Sequence, residues 1–65
     1  MNKLRILLAE DHAILREGIQ SLLASVADLD VVGEAEDGLS AVTLAKQLQP
    51  DLALVDLSLP LMNGT

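Results

Sequence analysis

The alternation of apolar and polar residues along the chain predicts three short strands separated by two helices. Apolar runs over residues 4–9 and 52–55 are typical of strands covered on both faces, and residues 31–35 form a second, shorter strand between them. Apolar residues at three- and four-residue steps predict helices over residues 12–26 and 39–49. The order β-α-β-α-β, with each helix as a crossover, predicts parallel strands.

Polar residues, glycine and proline mark the ends of these elements. Asp11 is expected to cap the first helix and Asp37 the second, while residues 28–30 form a turn and Pro50 ends the second helix. Each helix is expected to turn an apolar stripe towards the sheet: Leu15, Ile19, Leu22, Leu23 and Val26 on the first, and Leu39, Val42, Ala45 and Leu48 on the second. Residues from Pro60 onwards are predicted to form a loop.

Composition narrows the class of protein. The 65 residues are 51% hydrophobic, which is too apolar for a disordered tail, and they contain no aromatic residue, so the core is aliphatic. A net charge of −6 argues against contact between this chain and nucleic acid. The absence of cysteine excludes disulfides and thiolate zinc sites, as expected in a reducing cytoplasm, and no apolar run is long enough to span a membrane. An alternating chain normally continues to five or six strands, so we expect half a domain.

Three carboxylates fall at the predicted strand ends. Glu10 and Asp11 follow the first strand and Asp56 follows the third, so a strand order of 2-1-3 would gather them at one edge of the sheet. Carboxylates that lie close together repel one another and favour a bound cation. Mg²⁺ suits this set better than Zn²⁺, because the chain has no cysteine and a single histidine. Asp56 is the better nucleophile, since carboxylates form aspartyl-phosphate intermediates, and Glu10 and Asp11 are the better metal ligands.

Simpler interpretations remain open for each residue. Asp11 could have no role beyond capping a helix, Asp56 could be a solvated turn residue, and Glu10 could be a surface charge. His12 is expected to be exposed and without chemistry, and Arg16 to lie on a solvated helix face.

Three segments together resemble the receiver domain of two-component response regulators: Leu8-Ala9-Glu10-Asp11-His12, the Glu36-Asp37-Gly38 turn, and residues 51–64 with their strand-end Asp56, Pro60 and Gly64. Residues 11–18 resemble the NarL/FixJ subfamily, whose members usually carry a LuxR-type helix-turn-helix output domain. The resemblance implies a flavodoxin-like (CheY-like) three-layer fold. Residues 1–65 would be the N-terminal half of a receiver domain, β1-α1-β2-α2-β3 in order 2-1-3, without strands 4 and 5 and without an output domain.

The same resemblance implies a function and a site. Asp56 would accept a phosphoryl group from a histidine kinase, and Mg²⁺ would bind Asp11, Asp56 and the backbone carbonyl of Ser58 directly and Glu10 through water. Family members also carry a Ser or Thr after strand four and a Lys after strand five, neither of which lies within these 65 residues. The implied protein is a cytoplasmic transcriptional regulator rather than an enzyme. It would reach DNA through its output domain and would dephosphorylate itself only as an intact domain.

Two other classes of function remain. The chain could be an interaction module that self-associates through an unpaired, apolar edge of its third strand. A metal-dependent hydrolase is disfavoured, because no general base and no Lys or Arg phosphate clamp is expected near the acids.

Overall fold

The computed structural model describes residues 3–57, which form a parallel sheet with two helices. The elements in chain order are β1 (Leu4–Glu10), α1 (Ala13–Ala24), β2 (Leu29–Ala35), α2 (Gly38–Leu48) and β3 (Leu52–Asp56). The strand order is β2-β1-β3, and β1 is parallel to both neighbours. The predicted α/β class, element order and 2-1-3 strand order are therefore confirmed. In the described part of the chain, no helix is long and apolar enough to cross a membrane.

The boundaries of α2 follow the predicted signals closely. Asp37 precedes the helix in an extended conformation, and its side chain accepts a 2.7 Å hydrogen bond from the backbone N–H of Ser40. Gln49 ends the helix in the left-handed region, with φ 48°, and its N–H donates to the carbonyl of Ala45. Pro50 then prevents a further turn.

The second strand begins earlier than predicted. Residues 28–30 were expected to form a turn, but Leu29 and Asp30 already pair with Leu4 and Arg5 of β1. The N–H of Leu4 also donates to the carbonyl of Asp28 at 2.8 Å. Ladder hydrogen bonds to the central strand thus override the local turn preference of aspartate.

The core is centred on β1. Its carboxyl-terminal half, Ile6 to Ala9, is almost fully buried together with Ala35 of β2, whereas neither helix contains a buried residue. Several members of the predicted helical stripes are exposed: Leu15, Leu22, Val26, Leu39 and Val42. The stripes were therefore predicted too broadly, because within the described residues the helices pack against β1 and β2 and hardly contact β3.

A bulge in β2 decides which side chains face each helix. The pairing between β1 and β2 shifts by one residue between Ile6 and Leu7, which lie opposite Val31 and Gly33, so Val32 is the extra residue. Side chains alternate between the faces of a sheet, and Gly33 therefore shares a face with Leu7, where Leu44 and Leu48 of α2 pack. Glu34 lies opposite Leu8, on the other face.

Candidate functional site

The predicted acids meet at the carboxyl ends of β1 and β3. The register of the two strands places Glu10 directly opposite Asp56, and Asp11 follows in the bend after β1. Neighbouring strands lie about 4.8 Å apart, so the backbones of all three residues converge on one edge of the sheet. Their exposure differs: Glu10 is buried, Asp11 is half-buried and Asp56 is exposed.

Glu10 is the buried acid of the site, with 1% of its surface exposed. Its Oε2 accepts a 2.9 Å hydrogen bond from the backbone N–H of His12 and lies 2.8 Å from the Nδ1 atom of the His12 ring. These bonds hold the pKa of Glu10 below its usual value, and the backbone N–H of His12 is the largest cause. Its other oxygen, Oε1, is buried and has no hydrogen-bond partner among the described residues. The interpretation of Glu10 as a surface charge is wrong.

His12 contributes to the site in a way that sequence reasoning missed. Its ring is exposed, as expected, but Nδ1 lies 3.1 Å from Asp11 Oδ1 as well as near Glu10. The hydrogen bond to Glu10 raises the pKa of His12, and the negative charge of Asp11 raises it further. The imidazolium form of His12 therefore partly neutralises the two acids. A histidine immediately after a Glu-Asp pair, at a strand-to-helix turn, is the signal that could have indicated this role.

The start of α1 also differs from the prediction. His12, not Asp11, is the residue that precedes the helix, and no side chain caps it. The predicted Asp11 cap is wrong, because the chain bends at Asp11 and the helix begins one residue later than that cap requires. The Glu10 carboxylate accepts the backbone N–H of His12 itself. Asp11 is thereby left on the turn beside Glu10 and His12.

Arg16 connects the site to two strands. Its Nη1 atom donates a 2.7 Å hydrogen bond to the backbone carbonyl of Glu10, and its Nε lies 3.5 Å from Oε1 of Glu34. Only 20% of its side chain is exposed. The expectation that Arg16 lies on a solvated face is therefore wrong, because α1 crosses the sheet with this position over the ends of β1 and β2.

The arrangement fits a divalent cation. Glu10, Asp11 and His12 form a group whose potential ligand atoms all lie within 4.8 Å of one another. Asp56 is outside this close group, although its negative charge contributes to the raised pKa of His12. A buried carboxylate oxygen without a donor is unfavourable, and a hard cation would satisfy Glu10 Oε1. Ser58, whose carbonyl was predicted as a further ligand, lies outside the described residues, and so does the predicted loop from Pro60.

The chain is similar in sequence and in structure to known proteins. A family model described as the response regulator receiver domain matches residues 6–65. The nitrate/nitrite response regulator protein NarL of Escherichia coli K12 is 49% identical over 59 residues, which cover 91% of this chain and 27% of that protein. A solved structure of the signal receiver domain of the response regulator NarL from Mycobacterium tuberculosis superposes with a TM-score of 0.86 at 40% identity. That match covers 92% of this chain and 48% of the other.

The relatives differ in what accompanies the matched segment. A protein-glutamate methylesterase/protein-glutamine glutaminase of Methanosarcina acetivorans is 43% identical over 61 residues, which cover 94% of this chain but 18% of that protein. The chain thus spans about a quarter or less of these curated relatives. Similar segments occur both in a regulator and in an enzyme, so the match alone does not identify the output domain that accompanies this segment.

Proposed function

The chain belongs to the response regulator receiver domain family, and we propose that it is the phosphoacceptor part of a two-component signalling protein. Asp56 accepts a phosphoryl group from a sensor histidine kinase. Mg²⁺ is held by Glu10, Asp11 and Asp56, with the backbone carbonyl of Ser58 as a further ligand. The observation that carries this proposal is the register that sets Glu10 against Asp56 with Asp11 beside them.

The different environments of the three acids support a division of roles. Asp56 is exposed at the end of an edge strand, where a second protein can reach it. One of its oxygens attacks the phosphorus of the donor, and the bond from phosphorus to the imidazole nitrogen of the kinase breaks, with its electron pair leaving on that ring. Mg²⁺, when bound, neutralises charge on the phosphoryl oxygens. Glu10 is kept ionised by the N–H of His12 and supplies a fixed negative charge close to Asp11.

The proposal extends to the protein as a whole. Residues 1–65 are the N-terminal half of a receiver domain that controls a LuxR-type DNA-binding output domain, an assignment that rests on the resemblance of residues 11–18 to the NarL/FixJ subfamily. The chain itself does not contact DNA, in keeping with its net charge of −6. A cytoplasmic location belongs to the same proposal, since a regulator of transcription has to reach the chromosome. Self-phosphorylation and autodephosphorylation, in the complete domain only, are its sole reactions.

The experiment is phosphorylation by a small donor. The chain is continued with the part of E. coli NarL that follows the matched segment, which restores the Ser or Thr and the Lys that the family uses. This chimera is incubated with acetyl phosphate and Mg²⁺, and intact-mass spectrometry measures the gain of one phosphoryl group. We expect incorporation that requires Mg²⁺ and is lost in Asp56→Asn.

Asp30→Asn is the matched control, because Asp30 is also an exposed aspartate on a strand, at the opposite end of the sheet. This variant should be phosphorylated to the same extent as the parent chimera. Full incorporation into Asp56→Asn, or none into the parent chimera, would contradict the proposal.

A second candidate function is self-association of the 65-residue chain through β3. Within residues 3–57, β3 pairs with β1 on one side only, and Leu52 and Val55 are 44% and 60% exposed. An apolar, unpaired edge strand favours pairing with a second copy. Light scattering coupled to gel filtration would show a concentration-dependent dimer that Val55→Lys abolishes. Val42→Lys, at a similarly exposed site on α2, should not abolish it. A monomer at all concentrations would exclude this function.

A further inference from the structure

Residues 10–12 form the acidic turn at the end of β1. In the described part of the chain, Arg16 is the only basic residue outside this turn that contacts both the turn and a second strand. Its Nη1 donates to the Glu10 carbonyl at 2.7 Å, and its Nε faces Glu34 Oε1 at 3.5 Å. The guanidinium group does not contact the carboxylate of Glu10 in these interactions. Arg16 therefore acts on the backbone of the turn rather than on the acids themselves.

The bulge in β2 makes this arrangement possible. Without the extra residue Val32, strict alternation would place Glu34 on the face covered by α2. With the bulge, Glu34 lies on the opposite face beside Leu8, where Nε of Arg16 meets it. The planar guanidinium holds its donors in a fixed fork, so an ion pair with Glu34 also fixes the direction of the Nη1 donor.

We infer that Arg16 is a positioning residue for the cation site: anchored on Glu34, it fixes the Glu10 carbonyl and so orients the peptide that leads into Asp11. This inference rests on the proposed function, because it assigns Arg16 to the metal site proposed there. The backbone after Glu10 carries both Asp11 and the His12 N–H that binds the Glu10 carboxylate. A rotation of this peptide would therefore displace both acids.

Electrostatics and positioning predict opposite results when Arg16 is replaced. A positive charge near the site opposes cation binding, so its removal alone would strengthen Mg²⁺ binding. Loss of a group that orients metal ligands weakens binding, typically by 10- to 100-fold. The sign of the change in Mg²⁺ affinity thus separates the two roles.

The test uses the 65-residue chain and three variants. Mg²⁺ affinity is measured by calorimetry, and the amide resonances of Asp11 and His12 are recorded by NMR without metal. Arg16→Met removes the charge and the donors, and Arg16→Lys keeps the charge without the fork. Arg5→Met is the matched control, because Arg5 also donates to a backbone carbonyl, that of Gln49, but lies near the other end of β1.

We expect Arg16→Met to weaken Mg²⁺ binding by roughly tenfold, and Arg16→Lys to lose most of the same affinity. The Asp11 and His12 resonances should shift in both variants and stay unchanged in Arg5→Met. Equal or tighter binding by Arg16→Met would overturn the inference, and so would wild-type affinity in Arg16→Lys, since charge alone would then suffice.

Absence of Mg²⁺ binding to the parent chain would refute the metal site itself, which is a different failure. The NMR spectra then decide whether Arg16 positions the turn. Shifts of Asp11 and His12 in Arg16→Met, but not in Arg5→Met, would support the positioning role, and unchanged resonances would overturn it.

Discussion

Replacing Gly33 by alanine should destabilise the fold, although the same replacement at Gly18 should stabilise it. A Cβ at Gly33 would lie 2.6 Å from Leu48 Cδ1 and 3.3 Å from Leu7 Cδ1. Carbon atoms pack favourably at about 3.5–4.0 Å, so Leu48 would have to retreat by roughly 1 Å. A Cβ at Gly18 in α1 would meet nothing within 4 Å.

The magnitude follows from two opposing effects. Overpacking a core costs about 1–3 kcal/mol, whereas removing the extra freedom of glycine in the unfolded chain gains about 0.4–1 kcal/mol. Both contacts are to the ends of flexible side chains, so the net loss at Gly33 should be about 1 kcal/mol. For a chain of this size that loss lowers Tm by about 4–8 °C. At Gly18 the helix should gain about 0.5–1 kcal/mol.

Urea and thermal unfolding followed by far-ultraviolet circular dichroism would measure both changes, because the chain has no aromatic residue for fluorescence. The penalty of Gly33→Ala should disappear when Leu48 is also replaced by alanine, since the clashing atom is then absent. A Gly33→Ala variant that is as stable as Gly18→Ala would refute this account of the contact between β2 and α2.

Three further predictions concern pH. Protonated His12 lies 2.8 Å from Glu10 Oε2 and 3.1 Å from Asp11 Oδ1, and its positive charge opposes a cation at these acids. Mg²⁺ affinity measured by calorimetry should therefore rise as pH increases through the raised pKa of His12. His12→Gln should flatten this dependence, and an unchanged profile would contradict this effect of the His12 charge. Without metal, the stability that His12 contributes is complete below its ordinary pKa of 6.5 and is lost as pH rises through the raised value. The cap at Asp37 gives a pH dependence of stability of the opposite sign, because the N–H of Ser40 lowers the pKa of Asp37. The stability that this cap contributes is complete above pH 3.8 and is lost as pH falls through the lowered pKa. Acid unfolding of Asp37→Asn should lack this component while its helix stays capped, and a parental acid profile in that variant would show that the cap is not the cause.

Most of the secondary structure could be predicted from the sequence, because helix caps and helix-breaking residues act locally. The Asp37 cap and the Pro50 stop act within a few residues of the backbone they affect, so the α2 boundaries were predicted within one residue. The Asp11 cap failed because the chain bends at Asp11, so that His12 precedes the helix and donates its own N–H to the Glu10 carboxylate. The position of this bend depends on the burial of Glu10, which the local sequence pattern does not indicate.

Periodicity and capping are local properties, so the amino-acid sequence was enough to predict the β-α-β-α-β order and the positions of Glu10, Asp11 and Asp56 at strand ends. The environment of each acid depends on the tertiary fold. It set Glu10 opposite Asp56, buried one of them and left the other exposed, and brought Arg16 to Glu34 across a one-residue bulge. These outcomes depend on register and on which layers cover each strand. Both join residues far apart in the chain, so no local pattern carries them.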